Sequence, residues 1–367
     1  MFYMLAKTLY LLAISSCAGS LKRTPLEKLK IRLQGDSKVG ISVELFDQKQ
    51  VNISMLPMSI SNLNAAEQTF TFNAGFSITW FDRNLAWNKT DYDNITKVAI
   101  SEKFVWIPAI AIPNGIGSVS LALDRSPVVS NTGIARLPFL ESLKTSCQID
   151  ITLYPFDQQR CSILFMPAND YKLGVHMSGS IITRLPPFFI DNSEWELADI
   201  HAKVVDVQTE QISSLVSFEF FLKRKSMFYI VSIIFPMALL SLLNACVFLL
   251  PADSGEKMSY LISIFVSYAV FMNFVKDSIP KSGDVCRLSV YLTLILCQSC
   301  LAIITTMATL RNNVRNTSLL QPSNDNGNTD GTERPHEKTA SKVRRADHIL
   351  FGVFVLLALV SLLVFCV

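Results

Sequence analysis

Apolar and polar positions follow two different rhythms along this chain. Between residues 40 and 225 the apolar positions alternate over short runs: Ile41-Val43-Leu45, Phe70-Phe72, Phe76-Ile78-Trp80, Ile149-Ile151-Leu153, Ile163-Phe165 and Phe218-Phe220. A period of two sends successive side chains to opposite faces of a strand, so each run predicts a strand with one buried face. Turn-rich pieces such as Asp82-Arg83-Asn84, Pro113-Asn114-Gly115 and Asn131-Thr132-Gly133 separate the runs. One short helix is expected near Pro25 to Arg32. Short strands with frequent turns are the pattern of an all-β sandwich. From residue 226 the rhythm changes to four apolar runs, Met227 to Leu250, Glu256 to Asp277, Leu288 to Leu310 and Ile349 to Val367. Each is close to the ~20 residues a helix needs to cross a bilayer. The fold class expected is α+β membrane protein, an extracellular all-β sandwich followed by four transmembrane helices. Pro236, inside the first run, frees a backbone carbonyl and predicts a kink. The linker Pro251 to Gly255 is so short that the first two helices must be antiparallel neighbours.

The second run is the least uniform. Glu256, Ser259, Ser263, Val266, Val270 and Asp277 recur at steps of three, four or seven, which puts them on one helical face with Ser267 beside it. Tyr260, Ile264, Phe265, Tyr268, Phe271 and Phe274 are expected on the other face. A polar stripe at membrane depth faces water or other protein. Taken alone, this helix fits two readings: one packed in a bundle with its serines bonded to neighbours, or one lining a pore. One such helix cannot enclose a channel, but several copies around an axis can, and symmetric closure is the usual mode of oligomers. That favours the pore.

Residues 1–18 read as a secretory signal, with one lysine before an apolar core and Ser16-Cys17-Ala18 as a small-x-small cleavage site. The remaining divisions are an extracellular domain over 19–225, membrane helices over 226–310, a cytosolic loop over 311–348 and a last helix over 349–367. Arg311, Arg315, Arg334, Lys338, Lys342, Arg344 and Arg345 in the loop agree with the positive-inside rule. Gln321 to Thr332 is low-complexity and expected to be disordered. Of eight cysteines, Cys17 leaves with the signal and five lie in or beside the apolar runs. Cys147 and Cys161 are then the only pair in the exported domain, and an oxidising compartment predicts their disulfide. Sequons at Asn52, Asn88 and Asn94 suit an exported surface, while Asn316 falls on the cytosolic side. The formal net charge of +3 and the absence of a basic stripe with interleaved aromatics argue against a nucleic-acid partner. No metal motif, cofactor motif or nucleophile–base pair points to an enzyme. His176 and His201, the only exported histidines, belong to no ligand-spaced cluster.

The segment CQIDITLYPFDQQRC, Cys147 to Cys161, with its Tyr154-Pro155-Phe156-Asp157 core, closely resembles the signature of the pentameric Cys-loop ligand-gated ion channels. WFDRNLAWN at Trp80 to Asn88, WIP at Trp106 to Pro108 and SEWELADI at Ser193 to Ile200 agree in order. LPADSGEKMSY followed by VKDSIP looks like the serotonin type-3 receptor branch, with the zinc-activated channel a near relative. The resemblance covers residues 40 to 310 and the last span. It implies a plasma-membrane channel subunit with a homo- or heteropentamer of channel subunits, the lipid bilayer, permeating cations and a small extracellular agonist as its partners.

Carried over residue by residue, the resemblance makes Gly255-Glu256-Lys257 the start of a cation-selective pore helix. Rings of Glu256 and Asp277 would bound the pore, since charged rings of this kind set selectivity. Val266 stands where the family has its gate leucine, and Val270 supplies the next apolar ring. For coupling, Tyr154, Pro155 and Phe156 should press on the linker Asp277 to Gly283, which contains Pro280. Arg224 matches the central coupling arginine. The position of its acidic partner is Ala65 here, with Glu67 as a substitute. The agonist site departs most. Trp80 and Trp106 are its matching residues, Trp80 on the complementary side. Ala168, Ser213 and Ala109 stand where two aromatic residues and an aspartate are expected. The principal face therefore lacks a standard cation–π box for an amine, so agonist binding would depend on a partner subunit. Two rival readings are a homomeric channel gated by zinc or protons and a non-conducting accessory protein.

Overall fold

The computed structural model describes residues 23–40, 50–117, 126–168, 175–206, 214–250, 256–278, 285–319 and 335–366. The signal segment, the Ile41-Val43-Leu45 run, the hairpin tip with Ser213, the 251–255 linker, Pro280 and the 321–332 piece lie outside the described residues.

Helix α1, Pro25–Gly40, is longer than the stretch expected around Pro25 to Arg32. Its start is built from a reciprocal cap. The Glu27 amide donates to Thr24 Oγ1 (3.3 Å) and the Thr24 amide to Glu27 Oε2 (3.0 Å). Pro25 occupies the first turn, where no amide donor is needed. Leu29 and Leu33, one turn apart, are buried and seat the helix on the domain.

Ten strands follow. A six-stranded sheet has the order β3 (Lys97–Ala99), β5 (Val128–Ser130), β6 (Ile134–Ser146), β2 (Thr69–Phe81), β1 (Gln50–Asn64), β8 (His176–Ile181). A four-stranded sheet has the order β4 (Ile110–Ala111), β7 (Gln158–Pro167), β10 (Ser214–Arg224), β9 (Trp195–Asp206). Neighbours are antiparallel except β1 and β8, which run parallel with Gln50 opposite His176. The alternation seen in the sequence decides what lies between the sheets. Phe72 of β2 meets Phe220 of β10 at 4.4 Å between ring centroids, and Phe76 meets Phe165 of β7 at 5.3 Å. Offset aromatic pairs of this kind stabilise beyond their buried area. Gly179 in β8 lets β10 approach closely. A Cβ there would lie 2.4 Å from Val216 Cγ1.

Among the described residues, four helices are long and apolar enough to cross a membrane: α2 (Met227–Leu249), α3 (Glu256–Ser278), α4 (Arg287–Leu319) and α5 (Pro335–Cys366). The irregularity expected at Pro236 takes the form of a π turn over Ile230–Ile234, where the Phe235 amide donates to the Ile230 carbonyl. Proline cannot donate to the carbonyl four residues back, and widening one turn takes up the mismatch upstream of it. Tyr260 Oη of α3 donates to the Leu243 carbonyl of α2 (3.0 Å), tying those neighbours together. Ser241 of α2 donates to Gln298 Oε1 of α4 (3.3 Å), and Gln298 donates to the Phe354 carbonyl of α5 (2.9 Å). Helices α4 and α5 both extend into the 311–348 segment, so that part of it is helical at both ends rather than a plain loop.

Candidate gating interface and pore-lining helix

Cys147 and Cys161 are joined, with Cα atoms 5.3 Å apart, and close a loop between β6 and β7. Gln159 holds that loop from within. Its Nε2 donates to the Asp150 carbonyl (2.6 Å) and to Asp157 Oδ2 (2.6 Å), while its Oε1 accepts from the Asp150 amide (3.0 Å). Gln68, at the β1–β2 turn with φ 54°, accepts from the Ile149 amide through Oε1 (2.6 Å). The loop's far side meets the membrane helices. The Arg287 amide at the start of α4 donates to the Thr152 carbonyl (3.1 Å). Tyr154, fully buried, stands edge-on to Tyr229 of α2 at 5.2 Å. Phe156 lies 5.8 Å from Phe365 at the end of α5, and Phe365 lies 5.2 Å from Tyr291 of α4. Sequence reasoning aimed this loop at Asp277 to Gly283. Residues 279–284 lie outside the described residues; the described contacts of this loop run to α2, α4 and α5.

Arg224, the last residue of β10, is the electrostatic centre of this junction. It is buried, and its Nε and Nη2 donate to the two carboxylate oxygens of Asp157 at 2.7 and 3.1 Å. Its Nη1 pairs with Glu194, whose Oε1 also accepts from Tyr229 Oη (2.9 Å). The guanidinium lies over the rings of Trp195 (4.2 Å), Tyr154 (4.9 Å) and Tyr229 (5.8 Å). Burial by itself lowers the guanidinium pKa, but the hydrogen bonds and charge of Asp157, with Glu194, raise it above its ordinary value. The Tyr154 hydroxyl is pushed up, first by burial. The partner expected from sequence is thereby corrected. Ala65 is a buried core residue, and Glu67 makes a surface pair with Lys144 (2.9 Å). Sequence reasoning missed Glu194 because register decides it. Arg224 pairs with Trp195 across the β9–β10 ladder, which brings the preceding glutamate to the guanidinium.

On α3, Lys257, Leu261, Ile264, Tyr268 and Val275 are buried within the chain. Glu256, Ser259, Ser263, Val266 and Val270 are exposed. By the 3.6-residue turn, the centres of these two sets lie roughly opposite each other on the helix. Asp277 is within α3, and its side chain lies outside the described residues. The serines bond to their own helix rather than to neighbours. Ser263 Oγ donates to the Ser259 carbonyl (2.9 Å) and Ser267 Oγ to the Ser263 carbonyl (2.8 Å). Two expectations for the apolar face change. Phe274 is 72 % exposed, because it follows Glu256 by about five full turns and shares its side. The buried face centres on Leu261 and Tyr268, with Phe265 and Phe271 at its flanks.

In the upper domain Trp80 is 2 % exposed and lies edge-on to half-buried Trp106 at 6.3 Å. The strand alternation turns Trp80 into the core between the sheets, so its ring face is not offered to a neighbouring subunit. The amide of Ala168 donates to the carbonyl of Ala109 (2.8 Å), which sets these two methyl-bearing positions side by side. His201 pairs with Asp199 (3.3 Å) on β9. Asn88 and Asn94 are exposed. Asn52 lies within β1, with its side chain bonded to Ser54 and Ser178 at 3.2 and 3.1 Å.

Two family models match this architecture piece by piece. The ligand binding domain of neurotransmitter-gated ion channels matches residues 45–226, and the transmembrane region of the same channels matches residues 233–329. Fold and matches together make this chain a multi-pass membrane protein with an extracellular N-terminal β domain. It belongs to the neurotransmitter-gated, Cys-loop ion-channel family. It is similar to the acetylcholine receptor subunit epsilon of Xenopus laevis, 30 % identical over 317 residues, 80 % of this chain and 61 % of that protein. The neuronal acetylcholine receptor subunit beta-4 of Gallus gallus is 28 % identical over 282 residues, 76 % of this chain and 58 % of that one. The 5-hydroxytryptamine receptor 3A of Rattus norvegicus is 28 % identical over 244 residues, 64 % of this chain and 50 % of that one. The chain thus spans roughly half to three-fifths of the length of these relatives.

Proposed function

We propose that this chain is a subunit of a pentameric, cation-selective ligand-gated channel of the plasma membrane, with α3 lining the pore. The observation that carries the reading is the stripe from Glu256 through Ser259, Ser263, Val266 and Val270, exposed on the side of α3 turned away from its own bundle. Exposed polar groups at membrane depth need water or another subunit. A ring of copies supplies both, and five Glu256 carboxylates at one end attract cations and repel anions. The matched relatives are subunits of acetylcholine and 5-hydroxytryptamine receptors, which supports assembly with other channel subunits. Ala109 and Ala168 leave the principal face without the acid and the tryptophan of an amine box, so a small extracellular agonist would bind chiefly through a partner subunit. Identity does not favour either relative set, since both stand near 28–30 %. Serotonin type-3 kinship rests on the segments flanking α3. The test is to express the chain alone and with a serotonin type-3 subunit and record currents. Incorporation should change unitary conductance, and Glu256→Ala should shift the reversal potential under a cation gradient. Co-expression that leaves conductance unchanged and yields no mixed pentamer at the surface overturns the reading.

A further inference from the structure

We propose that the ion pair between Lys257 and Asp347 is the positioning device for Glu256. It anchors the first turn of the pore helix to the first membrane turn of α5 in the same chain. The proposal rests on the pore reading above and adds a second helix to ion selection. Lys257 Nζ lies 3.1 Å from Asp347 Oδ2, and both side chains are at most 10 % exposed. The ammonium also lies 5.7 Å from the centre of the Phe248 ring, at the end of α2. Three helices therefore converge on one lysine beside the exposed stripe. Among the described residues, the second carboxylate oxygen of Asp347 is buried without a hydrogen-bond partner. The nearby Arg344, Arg345 and His348 are exposed instead. Asp347 thus has Lys257 as its one described ionic partner.

The physics of that arrangement is restrictive. Two charges taken out of water recover their desolvation cost only while paired. Lys257 cannot swing outward without stranding Asp347, and α5 cannot rotate at this level without stranding Lys257. Consecutive helical residues are about 100° apart. A lysine pinned inward therefore fixes the direction of its neighbour Glu256, which the structure leaves exposed. Helix α5 begins at Pro335, more than two turns before Asp347, so a displacement of the 335–346 segment would reach the inner end of the pore helix through this pair.

The test uses the full chain co-assembled with a conducting partner. Asp347→Asn and Lys257→Gln should each lower unitary conductance and move the reversal potential toward the value of Glu256→Ala. The exchange Lys257→Asp with Asp347→Lys should recover most of both, with a coupling of about threefold or more, as for directly paired charges. A role confined to folding would change surface abundance but leave conductance and reversal potential at wild-type values in the channels that reach the surface. That result overturns the proposal, as does an exchange no better than the single changes. A second readout needs no current. Glu256→Cys is labelled in membranes with a water-soluble thiol reagent, against the unsubstituted chain as background. Adding Asp347→Asn should change the labelling rate by about threefold or more, and an unchanged rate rejects the positioning role. A changed rate with no effect of Glu256→Ala on permeation keeps the positioning role and rejects the pore reading instead.

Discussion

Arg224 shows how a single residue is held charged where the protein is nearly dry. Its bidentate partner Asp157 is 1 % exposed at the side chain, whereas Glu194 is 44 % exposed. The two acids are therefore not equivalent. Asp157→Asn leaves a buried guanidinium half-compensated and should cost about 3 kcal/mol. Glu194→Gln, screened by water, should cost no more than about 1 kcal/mol. Unfolding of the solubilised assembly by heat or denaturant orders the two, and equal losses would contradict the burial argument. Arg224→Lys should resemble Asp157→Asn rather than wild type. An ammonium cannot make the two-pronged bond to Asp157 or stack flat on Trp195. Little of this was legible in the sequence. Arg224 and Asp157 are 67 residues apart and meet because the antiparallel β7–β10 ladder, which pairs Lys223 with Gln158, brings the next two residues together. Glu67 looked a plausible partner by its place near Ala65, yet the β2–β6 ladder sends it to Lys144 on the surface.

Elements were more legible than contacts, and for a physical reason. A period of two or of 3.6 is a local property of the chain, and burial of one face acts on it directly. The Phe70-Phe72, Phe76-Ile78-Trp80, Ile163-Phe165 and Phe218-Phe220 runs all fall within strands β2, β7 and β10. Ile149-Ile151-Leu153, expected as a strand, lies instead in the disulfide loop, where the Ile149 and Asp150 amides bond to the Gln68 and Gln159 side chains and not to a ladder. The C-terminal part of α1 was illegible, because Gln34 to Gly40 carries almost no apolar signal. The helical ends of α4 and α5 beyond the membrane are polar and were hidden for the same reason. Gly179 marks another limit, since nothing in the β8 sequence shows that β10 lies against it. Gly179→Ala would put a methyl group 2.4 Å from Cγ1 of the buried Val216. The change should destabilise the extracellular domain by about 1–3 kcal/mol, as overpacking generally does. Val216→Ala in the same chain should return part of it. A Gly179→Ala protein with unaltered melting would mean that β8 is free to move off β10. Removing the disulfide, by Cys147→Ser with Cys161→Ser, should cost a further ~3 kcal/mol through the unfolded state.

At the scale of the whole molecule, the stripe on α3 and the sandwich above it are related by topology, and topology leaves a chemical record. The stripe was visible in the sequence as a spacing. Which way it points was not, because only the packing of Lys257, Leu261, Ile264, Tyr268 and Val275 against the bundle turns Glu256 and Ser263 outward. With an extracellular N-terminal domain and four candidate spans, the segment between α4 and α5 is expected in the cytosol, away from glycosyltransferases. The four sequons then separate into three kinds. Asn88 and Asn94 are exposed on turns before β3 and should carry glycans. Asn316, on the inner extension of α4, should carry none. Asn52 lies on the outward face of β1, and its amide is occupied by Ser54 and Ser178 across the β1–β8 pairing. A glycan there would break those bonds, so it should be modified poorly. Enzymatic deglycosylation of protein from a eukaryotic membrane should therefore collapse a two-step ladder. Asn88→Gln and Asn94→Gln should each remove one step, Asn52→Gln little, and Asn316→Gln nothing. A mobility shift that disappears with Asn316→Gln would place the 313–346 segment outside the cell and reverse the orientation of α3. The exposed glutamate end of its stripe would then face the extracellular medium, and the proposed cation entry would have the wrong polarity.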